Sequence, residues 1–200
     1  MINLVTRLSQ MSPEDLQRNT KQSLEWFRRA IATLPQSQSQ RDADDIMESY
    51  PKTFYTILGG MYMFKYDAKY KDVLPYWDRY PLVIPFQLQT DGFYGLNLHY
   101  ISPVKRAELL VELLRYPKDL DEGTEDDTRI RLTYQLIKAT SRLKWARPCI
   151  KRYLTTHIDG NIREVPYKDW DIISLLPTYK FNINANTVYK HSREKVESYV

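Results

Sequence analysis

From residue 16 to residue 34 apolar side chains return every three or four positions, at Leu16, Leu24, Phe27, Ile31 and Leu34, with Thr20 filling the one gap. That spacing lays them along one stripe of an α-helix and leaves Arg18, Lys21, Arg28 and Arg29 largely off it. Ser12-Pro13-Glu14-Asp15 supplies the start: an N-cap oxygen, a proline at the first helical position, and two carboxylates at the positive end of the helix dipole. Pro35 ends it. Residues 36–53 follow as a linker, because Gln36 to Asp45 contains no large apolar anchor. Residues 1–35 are thus expected as a separately docking amphipathic helix, with Leu16, Leu24, Phe27 and Ile31 offered to a partner.

Between residues 54 and 101 the pattern changes to short aromatic and β-branched runs separated by turn residues. Phe54 to Leu58 is one such run, and Gly59-Gly60 lets the backbone turn into Met61 to Tyr66, which is bulky on both faces as in a strand covered on both sides. Lys69 to Pro75 reads as a turn. Leu82 to Ile84 is the next strand, and Pro85, which has no N–H for a ladder bond, puts that strand at an edge or a bulge. Asp91-Gly92 is a hairpin dipeptide, and Phe93 to Ile101 forms the last strand, with Gly95 permitting a bulge or close approach. The expected class is α+β: a small antiparallel β-barrel or curled sheet over about residues 54–101, framed by α-helices. Ser102-Pro103 opens a helix with Val104, Ala107, Leu110, Val111 and Leu114 inward, which completes a unit over 54–116.

Pro117 stops that helix and begins a region, 117–181, of opposing charge blocks. Residues 119–127 are acidic. From Thr128 to Ile158 there is no Asp or Glu, while Arg129, Arg131, Lys138, Arg142, Lys144, Arg147, Lys151 and Arg152 are spread along two expected helices broken at Pro148. A short helix opened by Pro166 carries Trp170, Ile173 and Leu176 and is closed by Pro177. Residues 182–200 read as a tail, coil then marginal helix, of the kind that orders against a partner.

Composition narrows the chemistry. A 200-residue chain that is 42% hydrophobic can bury a core, and its net charge of +4 matters less than the placement of the charges. Cys149 is the only cysteine, which excludes an intrachain disulfide and a Cys-based zinc site. No apolar run suits a signal peptide or approaches the ~20 residues of a membrane span, so a soluble, unsecreted protein without a membrane partner is expected. His99, His157 and His191 lie far apart and outside ligand spacings, so no metal and no cofactor is expected. Asp67, Asp72, Asp78 and Asp91 could converge on a divalent ion for phosphodiester hydrolysis, yet they occupy turn positions where short acceptors satisfy backbone. A proton-transfer role for His99 stands against a structural one. No phosphate loop, GxSxG or Cys/His pair is present, and no catalytic residue is assigned. The sixteen tyrosines fill a β core or line a surface half-buried by a partner.

The acid-free basic stretch carries the clearest signal. Its eight cations could neutralise DNA phosphates, with Tyr134, Trp145 and Tyr153 interleaved, or face an acidic protein, or be a solvated surface.

Gly60-Met-Tyr-Met-Phe with Tyr66-Asp67, Leu74-Pro-Tyr-Trp-Asp-Arg-Tyr-Pro-Leu-Val-Ile84, Gly92-Phe-Tyr-Gly-Leu-Asn-Leu-His-Tyr-Ile101, and the helix with Arg106 and Leu109-Leu110 together resemble small virion-associated proteins of T4-like and marine tailed bacteriophages. Arg147-Pro-Cys-Ile-Lys-Arg-Tyr-Leu154 extends the resemblance, which covers roughly residues 55–180. Some of these proteins are called DNA end protector proteins. The resemblance implies a non-enzymatic capsid, neck or tail component touching the genome end, and it supplies no catalytic residues. The expected partners are other virion proteins and double-stranded DNA, in a symmetric assembly located in the virion and, during assembly, in the host cytoplasm. The alternative is a structural tail or baseplate subunit that grips its neighbours through its terminal segments; a metal-dependent nuclease is the third reading.

Overall fold

The computed structural model describes residues 43–54, 56–115, 126–176 and 178–198. Six strands, β1 (Lys52–Thr53), β2 (Tyr62–Tyr66), β3 (Leu82–Gln89), β4 (Gly92–Asn97), β5 (Ile150–Leu154) and β6 (Ile158–Glu164), form one open sheet in the order β1-β6-β2-β3-β4-β5. All neighbouring pairs are antiparallel. The helices are α1 (Ala43–Glu48), α2 (Pro103–Arg115), α3 (Asp126–Thr140), α4 (Trp170–Leu175) and α5 (Ala185–Glu197).

Strand pleating sends alternate side chains to opposite faces. Met63, Leu82, Ile84, Phe86 and Leu96 join the larger core beneath the helices. Tyr62, Phe64, Val83, Phe93 and Tyr153 form a second cluster on the other face, where Phe64 meets Phe93 and Tyr153 edge-on at 6.0 and 5.2 Å. A flat sheet would hold β2 and β5, three strands apart, about 14 Å from each other. Yet Tyr66 of β2 packs edge-on against Tyr153 of β5 at 5.0 Å, and its hydroxyl accepts the Leu154 N–H at 3.3 Å. The sheet therefore curls around its aromatic face without closing. This is the α+β curled sheet expected from the sequence, in its open form.

The strands differ from the expected ones in several places. The sheet draws β5 from the stretch read as a helix pair, and β6 begins at that stretch's last residue, Ile158: α3 ends at Thr140, a 3₁₀ turn spans Lys144–Cys149, and Ile150 begins a strand. Alternating Ile150, Lys151, Arg152 and Tyr153 suits an edge strand with Tyr153 inward, a pattern that the dense positive charge conceals. The described residues of the 54–58 run are not in a strand; β1 precedes them. Leu98–Tyr100 leaves the sheet in a 3₁₀ turn because the Asn97 side chain accepts the His99 N–H at 2.9 Å. Pro85 lies in an interior strand, and the register shifts between Pro85 and Gln87, so the bulge rather than the edge accommodates it.

The hairpin at Asp91-Gly92 is displaced by one residue. Gln89 pairs with Gly92, leaving Thr90-Asp91 as the turn, and Gly92 does not have positive φ. Glycine is required there for closeness: a Cβ would stand 1.9 Å from the Tyr153 carbonyl oxygen on β5.

In α2 the buried residues are Arg106, Ala107, Leu109, Leu110 and Leu113, while Val104 and Val111 are exposed. The stripe was read out of phase because it includes an arginine. Arg106 donates to the carbonyls of Ser174 and Ile101 at 2.7 and 2.9 Å and to the Tyr189 hydroxyl at 3.3 Å. Tyr189 and Val188 bury α5 against this core, and His191 stacks on Tyr76 at 5.7 Å. The C-terminal segment thus orders on the protein itself and not only on a partner. The expected helix over 12–34, with Leu16, Leu24, Phe27 and Ile31, lies outside the described residues.

Candidate nucleic-acid interface

The eight cations singled out from sequence separate into two groups. Arg131, Lys138 and Arg142, at spacings of seven and four, share one exposed stripe of α3 and its exit turn, opposite buried Thr133, Leu136, Ile137 and Thr140. Arg131 and Lys138 are ~10 Å apart along the axis at the helical rise of ~1.5 Å per residue. Lys144 and Arg147 continue the exposed charge into the 3₁₀ turn. Arg131, Arg142 and Lys144 form no ion pair among the described residues. Lys138 donates to the Tyr134 hydroxyl at 2.9 Å, and Arg129, half-buried, stacks over Tyr167 at 5.3 Å.

Lys151 and Arg152 belong to edge strand β5 and point to opposite faces. Arg152 is exposed and held by Asp91, its Nη2 reaching both carboxylate oxygens at 2.8 and 2.7 Å; that bond keeps the Asp91 carboxyl below the usual range. Lys151 is partly buried with its ammonium over the Tyr100 ring at 4.0 Å, and burial pushes its pKa down to about 8.

Lys151 lines a cleft of about 320 Å³ between β5 and the loop over residues 68–78. Six aromatic residues line it: Tyr66, Tyr70, Tyr76, Trp77, Tyr100 and Tyr153. Lys69 and Arg152 add charge at its wall, and its acids are Asp78 and Asp91. The Trp77 indole N–H is buried without a hydrogen-bond partner among the described residues. From sequence the tyrosines stand either as core or as a surface half-buried by a partner, and the 69–75 segment reads as a turn. Only folding shows that this turn lies against β5, 80 residues later.

Beneath the cleft, Asp78 is buried and accepts from four donors. Its Oδ1 takes the Tyr80 and Lys180 N–H groups at 3.1 and 3.0 Å, and its Oδ2 takes His99 Nδ1 at 2.6 Å and Asn97 Nδ2 at 3.4 Å. His99 Nε2 faces the Thr178 hydroxyl at 3.0 Å. Desolvation lowers the His99 pKa, the Asp78 carboxylate opposing it only in part, so the neutral ring donates from Nδ1 and accepts at Nε2. The order Asp-His-Thr is that of a nucleophilic triad, but His99 and Thr178 are 0% and 1% exposed, so no substrate reaches the hydroxyl. His99 is structural: it is buried and held by the Asp78 and Thr178 side chains and by the Tyr80 backbone.

The four aspartates do not converge. Asp67 pairs with Lys71 at 2.9 Å, Asp78 with His99 and Asp91 with Arg152, while Asp72 is exposed in the loop. No group of three or more His, Cys, Asp or Glu placed to hold a metal ion occurs among the described residues, and none of their helices is long and apolar enough to cross a membrane. Burial pushes the Cys149 thiol up to about 12, as for an unreactive core residue.

A family model described as phage T4 terminal DNA protecting protein matches residues 8–198. The chain belongs to that family. Membership takes in the whole described fold, the basic stripe and the cleft included, and reaches back over the helix predicted at 12–34. It extends well beyond the 55–180 range over which the motifs showed a resemblance. No curated protein and no solved structure matches the chain.

Proposed function

We propose that the protein is a non-enzymatic virion component that covers the ends of the phage genome, holding duplex DNA on the exposed cations of α3 and the turn after it. The observation that carries this reading is the stripe of Arg131, Lys138 and Arg142, continued by Lys144 and Arg147, in a stretch without any carboxylate from Thr128 to Ile158. The family's description supplies the ligand: terminal DNA. Arg131, Arg142 and Lys144, which form no ion pair among the described residues, can release counterions from DNA at full effect, whereas Arg152, already paired, contributes less. The surroundings in this reading are other virion proteins in a symmetric particle, preceded by the host cytoplasm during assembly.

A second reading, a structural subunit gripping its neighbours, is favoured by one observation. Val104 and Val111, two turns apart on α2, are 42% and 41% exposed and give that helix an apolar outer edge. Leu16, Leu24, Phe27 and Ile31 would be the companion surface.

Duplex binding measured across a salt series tests the first reading. Each phosphate neutralised adds ~0.9 to the slope of log K against log salt, so replacing Arg142, Lys144 and Arg147 with alanine should lower that slope by up to ~3. An unchanged slope, or no binding at low salt, would refute it.

A further inference from the structure

We propose that the cleft between the 68–78 loop and β5 receives one unstacked nucleotide from a DNA end, its base against the aromatic wall and its phosphate on Lys151 and Lys69. This rests on the genome-end reading above and adds where the end itself is held.

Three observations converge on it. The first is charge. Both acids of the cleft are engaged, Asp78 by four inward donors and Asp91 by Arg152, while Lys69 and Lys151 pair with no carboxylate among the described residues. Their neighbours are rings, Tyr70 for Lys69 at 5.4 Å and Tyr100 for Lys151 at 4.0 Å. Lys195 of α5 repels the Lys151 ammonium, the Cys149 thiol beside it stays neutral, and the Asp91 carboxylate that Lys69 feels is already bonded to Arg152. The field toward a ligand is therefore positive. A cation kept partly buried without a counter-ion is costly to the fold, and an anion arriving there removes the cost.

The second is surface. The loop's outer rim is apolar, with Tyr70 61%, Val73 79% and Leu74 41% exposed. Base stacking on exposed rings is tolerant of sequence, as protection of an arbitrary terminus requires. Trp77, which lines the cleft, adds a buried donor without a partner among the described residues, which a base or phosphate acceptor would satisfy.

The third is size. About 320 Å³ is the lower range of ligand pockets, sufficient for one nucleotide and closed to a double helix. Only an end, a frayed pair or an overhang can present a base free of its stack, and unstacking is cheapest there. The basic stripe would hold any duplex; the cleft discriminates ends.

The test compares a short duplex carrying single-stranded overhangs with a covalently closed circle of the same sequence, at equal phosphate concentration and with the full chain. The overhang duplex should bind at least tenfold more tightly. Lys151→Met and Tyr70→Ala should reduce that preference toward one while leaving affinity for the circle unchanged; Tyr70 lies too far outside the core for its loss to unfold the protein. Arg142→Ala with Lys144→Ala should weaken both DNAs alike. If the parent binds circle and overhang duplex equally, or the preference survives both cleft variants, the cleft proposal is overturned and the duplex-binding reading stands. Loss of all DNA binding in the parent overturns both.

Discussion

Replacing Lys151 with methionine should make the protein more stable, which is the opposite of what removing a contact ordinarily does. Burial lowers the lysine from its ordinary 10.5 to about 8. At pH 7 the side chain is charged in both folded and unfolded states, and the difference of 2.5 units corresponds to about 3 kcal/mol of destabilisation at ~1.4 kcal/mol per unit. That is an upper bound, because part of the side chain reaches solvent. Methionine keeps the apolar stem, fills similar space and drops the charge, but it forfeits the contact of the ammonium with the Tyr100 face, worth about 1 to 2 kcal/mol when desolvated. The net expectation is a gain of about 1 to 2 kcal/mol at pH 7. The sign of the pH dependence follows from the lowered pKa. Between pH 8 and 10.5 the unfolded chain holds the extra proton, so the parent becomes more stable as pH rises and the advantage of the variant shrinks by about 2 kcal/mol by pH 9.5. Urea unfolding of both proteins at pH 7 and 9.5 measures this directly. A variant less stable than the parent at pH 7, or a difference that does not change with pH, would refute the account of Lys151 as a cation strained by its site.

Two further predictions concern the frame. Gly59 has φ +93, and a Cβ on it would stand 2.4 Å from the Ile130 carbonyl oxygen of α3, so Gly59→Ala combines backbone strain with an overlap against rigid backbone. It should cost about 2 to 4 kcal/mol in thermal or urea unfolding and shift α3 relative to β3; a loss below 1 kcal/mol would mean that this approach is not tight. His99 has its pKa lowered by burial, so stability should be complete above pH ~6.5 and fall as pH drops below it, where the unfolded state takes up the proton first. In His99→Gln that part of the acid loss should vanish, and identical pH profiles for the two proteins would contradict a buried neutral ring.

What could be read from the sequence was governed by how local the determining interaction is. The curled sheet was legible because Met61 to Tyr66 and Leu82 to Phe86 carry their own strand propensity and their own turns. Pro85 announced an irregularity, and the bulge is there. The β5 strand was not legible. Ile150 to Leu154 is held by pairing with β4, more than fifty residues earlier, and five residues with two cations show no such long-range partner. The stripe of α2 failed for a related reason: Arg106 is inside only because the carbonyls of Ile101 and Ser174 and the Tyr189 hydroxyl converge on it, and Ser174 and Tyr189 are distant in sequence. Of the basic residues, sequence supplied the charge but not the division. Distinguishing Arg142, exposed and unpaired among the described residues, from Arg152, neutralised by Asp91, required the turn at Thr90-Asp91 to be brought against β5.

That division gives the fold a mechanical logic. Asp78 belongs at once to the cleft lining and to the buried network with Asn97, His99 and Thr178, and Asn97 Nδ2 also donates to the hydroxyl of Tyr153, another cleft wall, at 2.9 Å. Tyr100, the ring beneath Lys151, follows His99 directly in the 3₁₀ turn capped by Asn97. The polar network thus fixes three sides of the cleft from below: the 76–78 end of the loop, the face of β5, and the aromatic floor. A network in which each member satisfies another has one arrangement of lowest energy, and this is what a site needs if it is to meet a nucleotide without reorganising. An apolar core at Asp78, Asn97 and His99 would give comparable burial but would leave the loop free to settle on the rings and close the space. The network secures the 76–78 end of the loop, while the outer rim, with Tyr70, Val73 and Leu74 turned to solvent, is shaped by its own turn, in which the Val73 and Leu74 N–H groups donate to the Tyr70 carbonyl at 3.1 and 2.9 Å.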